Sequence, residues 1–374
     1  MSGSSDPRID ALIAGELYAQ PQAAKERELL AILKPLCRRI AEGCPEWARF
    51  LDRAGADIAR WTRLDDIPPL PVSMFKEFDL RAVPREEIQR ELNSSATTGD
   101  RPSRIFIDRT TANVQTRALA AVLKERLGPR RRPYLVLDCE ESAAAGDVLS
   151  ARGAAIRGLG SFARDTSYAL KRAADGDLEL DLPAVEAFFA EHAGSPILMF
   201  GFTFMVWTRA LLRLRAIGAR FDAAQGVLLH SGGWKKLQDQ AVDRATFAAA
   251  AHDVFALEPA RVVDFYGMVE QVGTVFLDCE VGHKHAPAFA DVLIRRPGTL
   301  ARCEAGEVGL IQVVSVLPHS YPGQAIMTED QGQVMGVDDC TCGRRGTYFR
   351  FTKRVERVAV RGCGDTFAQM RGTR

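Results

Sequence analysis

The feature that most constrains the fold is an alternation of short apolar runs with helical stretches between residues 134 and 267. "YLVLD" (134–138), a helix near 182–192, "PILMF" (196–200), a helix over 204–217, "GVLLH" (226–230), a helix over 238–255 and "RVVDFYG" (261–267) follow one another. Strand and helix in turn predict a mainly parallel sheet covered by helices. Beyond residue 285 the pattern changes to "AFADVLIRR", "VGLIQVVSVL" and "QAIMTEDQGQV", split by Gly and Pro turns, which predicts a smaller, partly antiparallel lobe. Ahead of the alternation, apolar residues from Ile9 to about Asp57 recur at helical spacing, and "DDIPPLPVSMFKEFDL" reads as an extended, proline-held segment. "RIFID" then reads as a strand, and "TTANVQTRALAAVLKERLG" as a helix capped by Thr110 or Thr111 and ended by Gly128. The expected division is a helical region over 1–90, an α/β core over 91–285, a β lobe over 286–353 and a hinge with a short tail over 354–374.

A chain of 374 residues, 47% hydrophobic and 26% charged, suits a large core or two packed lobes. No apolar run is long enough to span a bilayer and no signal segment follows Met1, so a cytoplasmic, non-membrane protein is expected. A net charge of +1 argues against general nucleic-acid binding, although residues 344–374 carry nine Lys/Arg against Glu356 and Asp365. That end suits anionic ligands or an acidic partner protein, or is simply solvated. Eight cysteines in such a chain are expected as core thiols, metal ligands or nucleophiles rather than disulfides.

In a sheet of this type ligands gather at the carboxyl ends of strands, so polar residues just after strands carry most weight. "LLHSGGWKK" places Ser231, Gly232 and Gly233 there, with His230 adjoining, and the glycines admit a flat ring against bare backbone. "DFYGMVEQ" supplies Tyr266, Gly267 and Glu270, an aromatic face and a carboxylate for a hard cation. "IMTEDQG" supplies Glu329 and Asp330, carboxylates able to accept ribose hydroxyls. Upstream, "NSSATTGDRPSR" (93–104) gathers Ser94, Ser95, Thr97 and Thr98 ahead of Gly99, which suits either a polar hairpin turn or a cradle for phosphate oxygens.

In this order, the motifs resemble those of the adenylate-forming superfamily of acyl and aryl acid ligases over about residues 90–365. "SSATTGDRPSR" is similar to its ATP phosphate loop, "YGMVEQ" to its Tyr-Gly-x-x-Glu motif, "TEDQG" to its ribose-binding Thr-Gly-Asp, and "TKRVERVAVRG" to its hinge. The resemblance implies that Ser94, Ser95, Thr97, Thr98 and Gly99 hold phosphates and that Ser231, Gly232 and Gly233 lie along the adenine. It places Tyr266 and Gly267 beside adenine and acyl group, Glu270 on Mg2+, and Asp330 and Arg354 on the ribose and nearby oxygens. Two departures stand out: Ala96 replaces a usual Gly, and no Lys follows Pro102, so Arg101 or Arg104 is left to supply charge.

The chain ends soon after Glu356, where the superfamily usually continues into a lid domain; the expectation is a lid reduced to a short tail. With "PVSMFKEF" and "HSGGWKK", this resembles the LuxE-type acyl-protein synthetases of bacterial luminescence. The resemblance implies transfer of the acyl group from acyl-AMP to a cysteine near the C-terminus, here Cys363 in "VRGCGDT". Flanking Gly362 and Gly364, with Arg357 and Arg361 nearby, suit a reactive thiolate.

"ILMFGFTFMVW" offers Phe200, Phe202, Phe204 and Trp207 as an acid pocket for an alkyl chain or an aromatic ring, or else as plain core. Cys279 and His285 in "LDCEVGHKH", with Cys340 and Cys342 in "DDCTCGRRG", are a candidate closed Zn2+ site, His283 being the alternative histidine. A similar arrangement occurs in some phenylacetate:CoA-ligase-like adenylate formers. The reading is an ATP- and Mg2+-dependent ligase of a carboxylic acid with structural Zn2+. Its acceptor is Cys363 or a thiol of an acyl carrier, acyltransferase or reductase partner. An aryl acid ligase acting on coenzyme A or a carrier thiol is the alternative within the class, and a non-catalytic nucleotide-binding subunit is the alternative outside it.

Overall fold

The structure is a computed structural model that describes residues 6–93, 102–143, 151–234 and 241–355. The chain forms two compact units that are not contiguous in sequence: residues 1–122, 267–276 and 283–374 make the first, 123–266 and 277–282 the second.

The second unit contains the parallel sheet. Ala163–Tyr168, Arg132–Val136, Leu198–Phe202, Val227–Ser231 and Val262–Tyr266 lie side by side in that order, every pair parallel. Apolar, β-branched runs suit such strands because helices cover them. Leu135, Met199 and Leu228 are buried against Phe188 of helix Leu182–Glu191, Leu214 of Leu212–Ala216 and Phe255 of Arg244–Phe255. Two of these helices start where an aspartate caps them: Asp181 accepts the Ala184 amide at 3.4 Å and Asp243 the Thr246 amide at 2.7 Å. The helix expected over 204–217 is irregular, with π-helical Val206–Leu211 following Thr203–Met205.

In the first unit, strands Lys284–His285, Thr347–Arg354, Ala325–Val337, Gly309–Ser315 and Ala290–Arg295 form an antiparallel sheet in that order. All residues of Ala290–Arg295 and Gly309–Ser315 are buried, so both faces of these strands are covered. The N-terminal helices Pro7–Ala14, Gln22–Gly43 and Pro45–Arg53 bear out the helical opening. One is tied to the sheet by a fully buried pair, Lys25 Nζ 3.5 Å from Asp291.

Two local expectations are corrected. The cap of helix Arg109–Leu127 is neither threonine: Asp108 accepts the Thr111 amide at 2.8 Å, as a carboxylate does better than a hydroxyl at a helix start. The Thr111 hydroxyl instead accepts the amides of His319 and Ser320, both at 3.1 Å. The proline segment is extended only at Leu70–Pro71, which pairs with Ile326–Met327, and then turns into helix Met74–Glu77. Three prolines set the approach, but none follows Pro71 to stop a helical turn.

Candidate active site

Glu270 sits in a single 3₁₀ turn, Val269–Gln271, directly after the Tyr266-Gly267 step. The turn is fixed from behind: Tyr321 donates its hydroxyl to the Glu270 carbonyl at 3.0 Å and accepts from Gln115 Nε2 at 3.0 Å. The Thr274 and Ser315 hydroxyls meet at 3.0 Å beneath it. The Glu270 side chain is buried, and burial pushes its carboxyl pKa up; a hydrogen bond from Ser103 and the charges of Arg354 and Lys76 act in the opposite direction. A carboxylate taken out of water is stabilised by a cation, and an oxygen donor of this kind fits Mg2+.

Asp330 and Arg354 are direct cross-strand partners, and Arg354 lies 3.5 Å from Glu329. The Thr328 hydroxyl is buried in the strand: it donates to the Ile311 carbonyl at 2.8 Å and accepts the Asp330 amide at 3.1 Å. The threonine of "TEDQG" therefore shapes the strand. Glu270, Asp330 and Arg354 thus belong to one unit.

In the second unit, the carboxyl ends of the central strands carry the other expected residues. Ser231 Oγ donates to the Phe265 carbonyl at 2.8 Å, and Tyr266 is buried at the end of the neighbouring strand. Gly232 has φ +84, and a Cβ there would come within 2.8 Å of the Phe202 ring. Glycine is therefore required at this position, as a bare-backbone platform needs. Sequence reasoning placed His230 beside this loop, as a residue near the ligand. Its Nδ1 lies 3.0 Å from Thr203 Oγ1 and 3.6 Å from Asp264, and its ring stacks on Phe247 at 4.5 Å. Its position two residues before Gly232 was the available signal.

The four aromatics divide. Phe202 and Phe204 are partly buried around Cys139, Leu170 and Met205, whereas Phe200 is fully buried and Trp207 packs in the main core against Phe247. Ser94, Ser95, Thr97, Thr98, Gly99 and Cys363 lie outside the described residues. The strands flanking the hydroxyl-rich segment pair with each other, Ile88–Asn93 with Arg104–Asp108.

Cys279, His285, Cys340 and Cys342 gather with ligand atoms all within 4.8 Å of one another. The Gly282 amide donates to the Cys279 carbonyl and the Gly343 amide to the Cys340 carbonyl, both at 2.9 Å. These two matching turns are closed by glycines at φ +82 and +86. His285 Nε2 is 3.4 Å from Cys342 Sγ, and its ring stacks on Tyr348 at 5.4 Å; His283 Nδ1 is 3.6 Å from Cys340 Sγ. Tetrahedral zinc with ~2.3 Å bonds to sulfur needs donor-donor edges of roughly 3.8 Å, so this soft donor set fits the ion.

No helix among the described residues is long and apolar enough to cross a membrane. The acyl-protein synthetase LuxE family model matches residues 32–371. The long-chain-fatty-acid–luciferin-component ligase of Aliivibrio fischeri is 25% identical over 311 residues, 82% of this chain and 79% of that protein. That of Vibrio harveyi is 23% identical over 323 residues, 82% and 78%. A phenylacetate–coenzyme A ligase of Thermus thermophilus is 41% identical over 75 residues, 18% of this chain and 16% of that enzyme. A 2-hydroxyisobutyryl-CoA ligase with 2-HIB-AMP and CoA superposes with TM-score 0.64 at 17% identity, over 95% of this chain and 79% of that one. This last likeness establishes the adenylate-forming fold. The family match covers most of the chain, and we conclude that the protein belongs to the LuxE family of acyl-protein synthetases and is an AMP-forming acid ligase.

Proposed function

We propose that this protein activates a long-chain or similarly apolar carboxylic acid with ATP and transfers the acyl group to a cysteine thiol. The acceptor is its own Cys363 or a thiol of a carrier, acyltransferase or reductase partner. The single observation that carries the reading is the buried Glu270 carboxylate in a turn braced by Tyr321, with Arg354 and Lys76 acting on it.

A carboxylate and a triphosphate repel, and their reaction needs charge neutralisation at the leaving pyrophosphate. Mg2+ held at Glu270 supplies that neutralisation when bound. Asp330 accepts ribose hydroxyls, Arg354 attends nearby oxygens, and Gly232 leaves room for the adenine face. The acid oxygen attacks the α-phosphorus and pyrophosphate departs, giving acyl-AMP. The thiolate then attacks the acyl carbon, the bond to AMP breaks, and a thioester results. Phe202 and Phe204, with Leu170 and Met205, offer an apolar surface for the acid chain. The cysteine and histidine cluster would hold a structural zinc ion and takes no part in the reaction.

The test is acid-dependent exchange of pyrophosphate into ATP with a panel of alkyl and aryl acids. Exchange with long alkyl acids is expected, and no exchange with any acid would sink the reading. The phenylacetate–CoA-ligase-like stretch favours a second reading, an aryl acid ligase using coenzyme A. Aryl-dependent exchange with release of an acyl-CoA would select it.

A further inference from the structure

We propose that His230 is a positioning residue for acid selection: through Thr203 it fixes the Phe202 ring against Gly232. The inference rests on the reading above, in which Phe202 offers surface to the acid chain and Gly232 leaves room for the adenine.

Three neighbouring strands of the parallel sheet set Gly201, His230 and Asp264 side by side in one row. The preceding row on the same face, Met199, Leu228 and Val262, is buried apolar core under the helices. A buried imidazole beside a carboxylate interrupts that core, and a polar group in such a place needs partners. In strands Leu198–Phe202 and Val227–Ser231 this is the last row on that face before Thr203 and Gly232.

Nδ1 of His230 lies 3.0 Å from the Thr203 hydroxyl and 3.6 Å from an Asp264 oxygen. The carboxylate favours the tautomer with the proton on Nδ1, and that N–H donates to the Thr203 oxygen. Thr203 is buried and directly follows Phe202, so a bond that fixes Thr203 also fixes the backbone from which the Phe202 ring projects. The space beside that ring is narrow, since a Cβ on Gly232 would come within 2.8 Å of it. Ring and glycine thus meet at adjacent strand ends, one residue from Thr203 and two from His230.

The imidazole is itself held. Its ring stacks on Phe247 at 4.5 Å, and Phe247 stacks in turn on Trp207 at 5.9 Å. Gly201 completes the row as a close approach: a Cβ there would lie 2.6 Å from Val206, so the turn carrying Thr203 packs directly back on its strand. An aromatic ring at the side of an acid pocket sets how much chain fits beside it, and releasing the ring changes which chains are preferred.

The experiment measures kcat/KM for acid-dependent pyrophosphate exchange with octanoic, dodecanoic and hexadecanoic acids, and the melting temperature, in wild type, His230→Leu, His230→Asn and Thr203→Val. His230→Leu and Thr203→Val should each change the hexadecanoic-to-octanoic ratio by about tenfold, the low end of what one misfitted methylene costs. His230→Asn should keep the ratio within about twofold of wild type, because the Asn amide places a polar group near the Nδ1 position. The ratio does not depend on the fraction of folded enzyme, so lost stability alone leaves it unmoved. An unchanged ratio in both His230→Leu and Thr203→Val overturns the proposal. A uniform fall with every acid, together with a lower melting temperature, also overturns it by making His230 a structural residue. If wild type exchanges pyrophosphate with none of these acids, the reading of the site fails and takes this proposal with it; exchange in wild type with an unmoved ratio defeats this proposal alone.

Discussion

Replacing Glu270 by glutamine should raise the stability of the ligand-free protein while abolishing most of its activity. Glutamine keeps the shape and removes the charge. The Glu270 side chain is buried at 5% exposure, and desolvation is the largest influence on its carboxyl. Holding an ion in such a place costs several kcal/mol, offset by whatever cations face it. Arg354 is 70% exposed, so its attraction is screened and small, which leaves the Ser103 hydrogen bond and the turn's own backbone amide as the main offsets. A net cost of about 1–3 kcal/mol remains, and Glu270→Gln should recover it as a rise of about 2–6 °C in the melting temperature at neutral to mildly alkaline pH. Acid-dependent pyrophosphate exchange should fall about 100- to 1,000-fold, the scale seen when a charge-stabilising group is lost. Magnesium ATP should raise the melting temperature of wild type and not of the variant. A variant that melts below wild type and exchanges normally would refute both the burial argument and the cation role.

Gly232→Ala should reduce exchange about tenfold or more with little change in fold. A methyl there would lie 2.8 Å from the Phe202 ring at a φ of +84 that L-residues resist by about 1–2 kcal/mol. Purified wild type should carry about one zinc per chain by elemental analysis, and Cys340→Ser or Cys342→Ser should lose it and melt lower; a metal-free wild type of unchanged stability would exclude zinc. Burial depresses the His319 imidazole from 6.5 to about 4. A group held neutral in this way contributes stability above its unfolded pKa and loses it as pH falls toward the folded value. Up to about 3 kcal/mol should therefore disappear between pH 6.5 and 4, and His319→Leu should flatten that slope in denaturant titrations.

The parallel sheet was legible because its strands are apolar runs bounded by helices with clear periodicity. The hairpin strand Ile88–Asn93 was not, because "IQRELN" alternates with charge and most of its side chains are exposed. Helix Met74–Glu77 is one turn long, too short for periodicity to register. The irregularity at Val206–Leu211 also lies beyond pattern reading, since an extra residue in a turn leaves composition unchanged. The candidate metal ligands were legible as a spacing pattern. Thiols and imidazoles at Cys-x-Cys and Cys-x5-His spacing have few other uses, and the fold brings them to one point. The aromatic run was less informative, because apolar side chains serve a pocket and a core equally well; Trp207 and Phe200 belong to the core. His230 was noticed only by adjacency, since Thr203 and Asp264 reach it across neighbouring strands.

The central claim, transfer of an activated acyl group to a protein thiol, is tested most directly by intact-mass measurement after incubation with magnesium ATP and a long alkyl acid. The account predicts one hydroxylamine-labile acyl adduct that is absent without ATP and absent in Cys363→Ser. An active protein that gives no adduct on itself, on a carrier protein or on a reductase partner, but releases acyl-CoA, would contradict it.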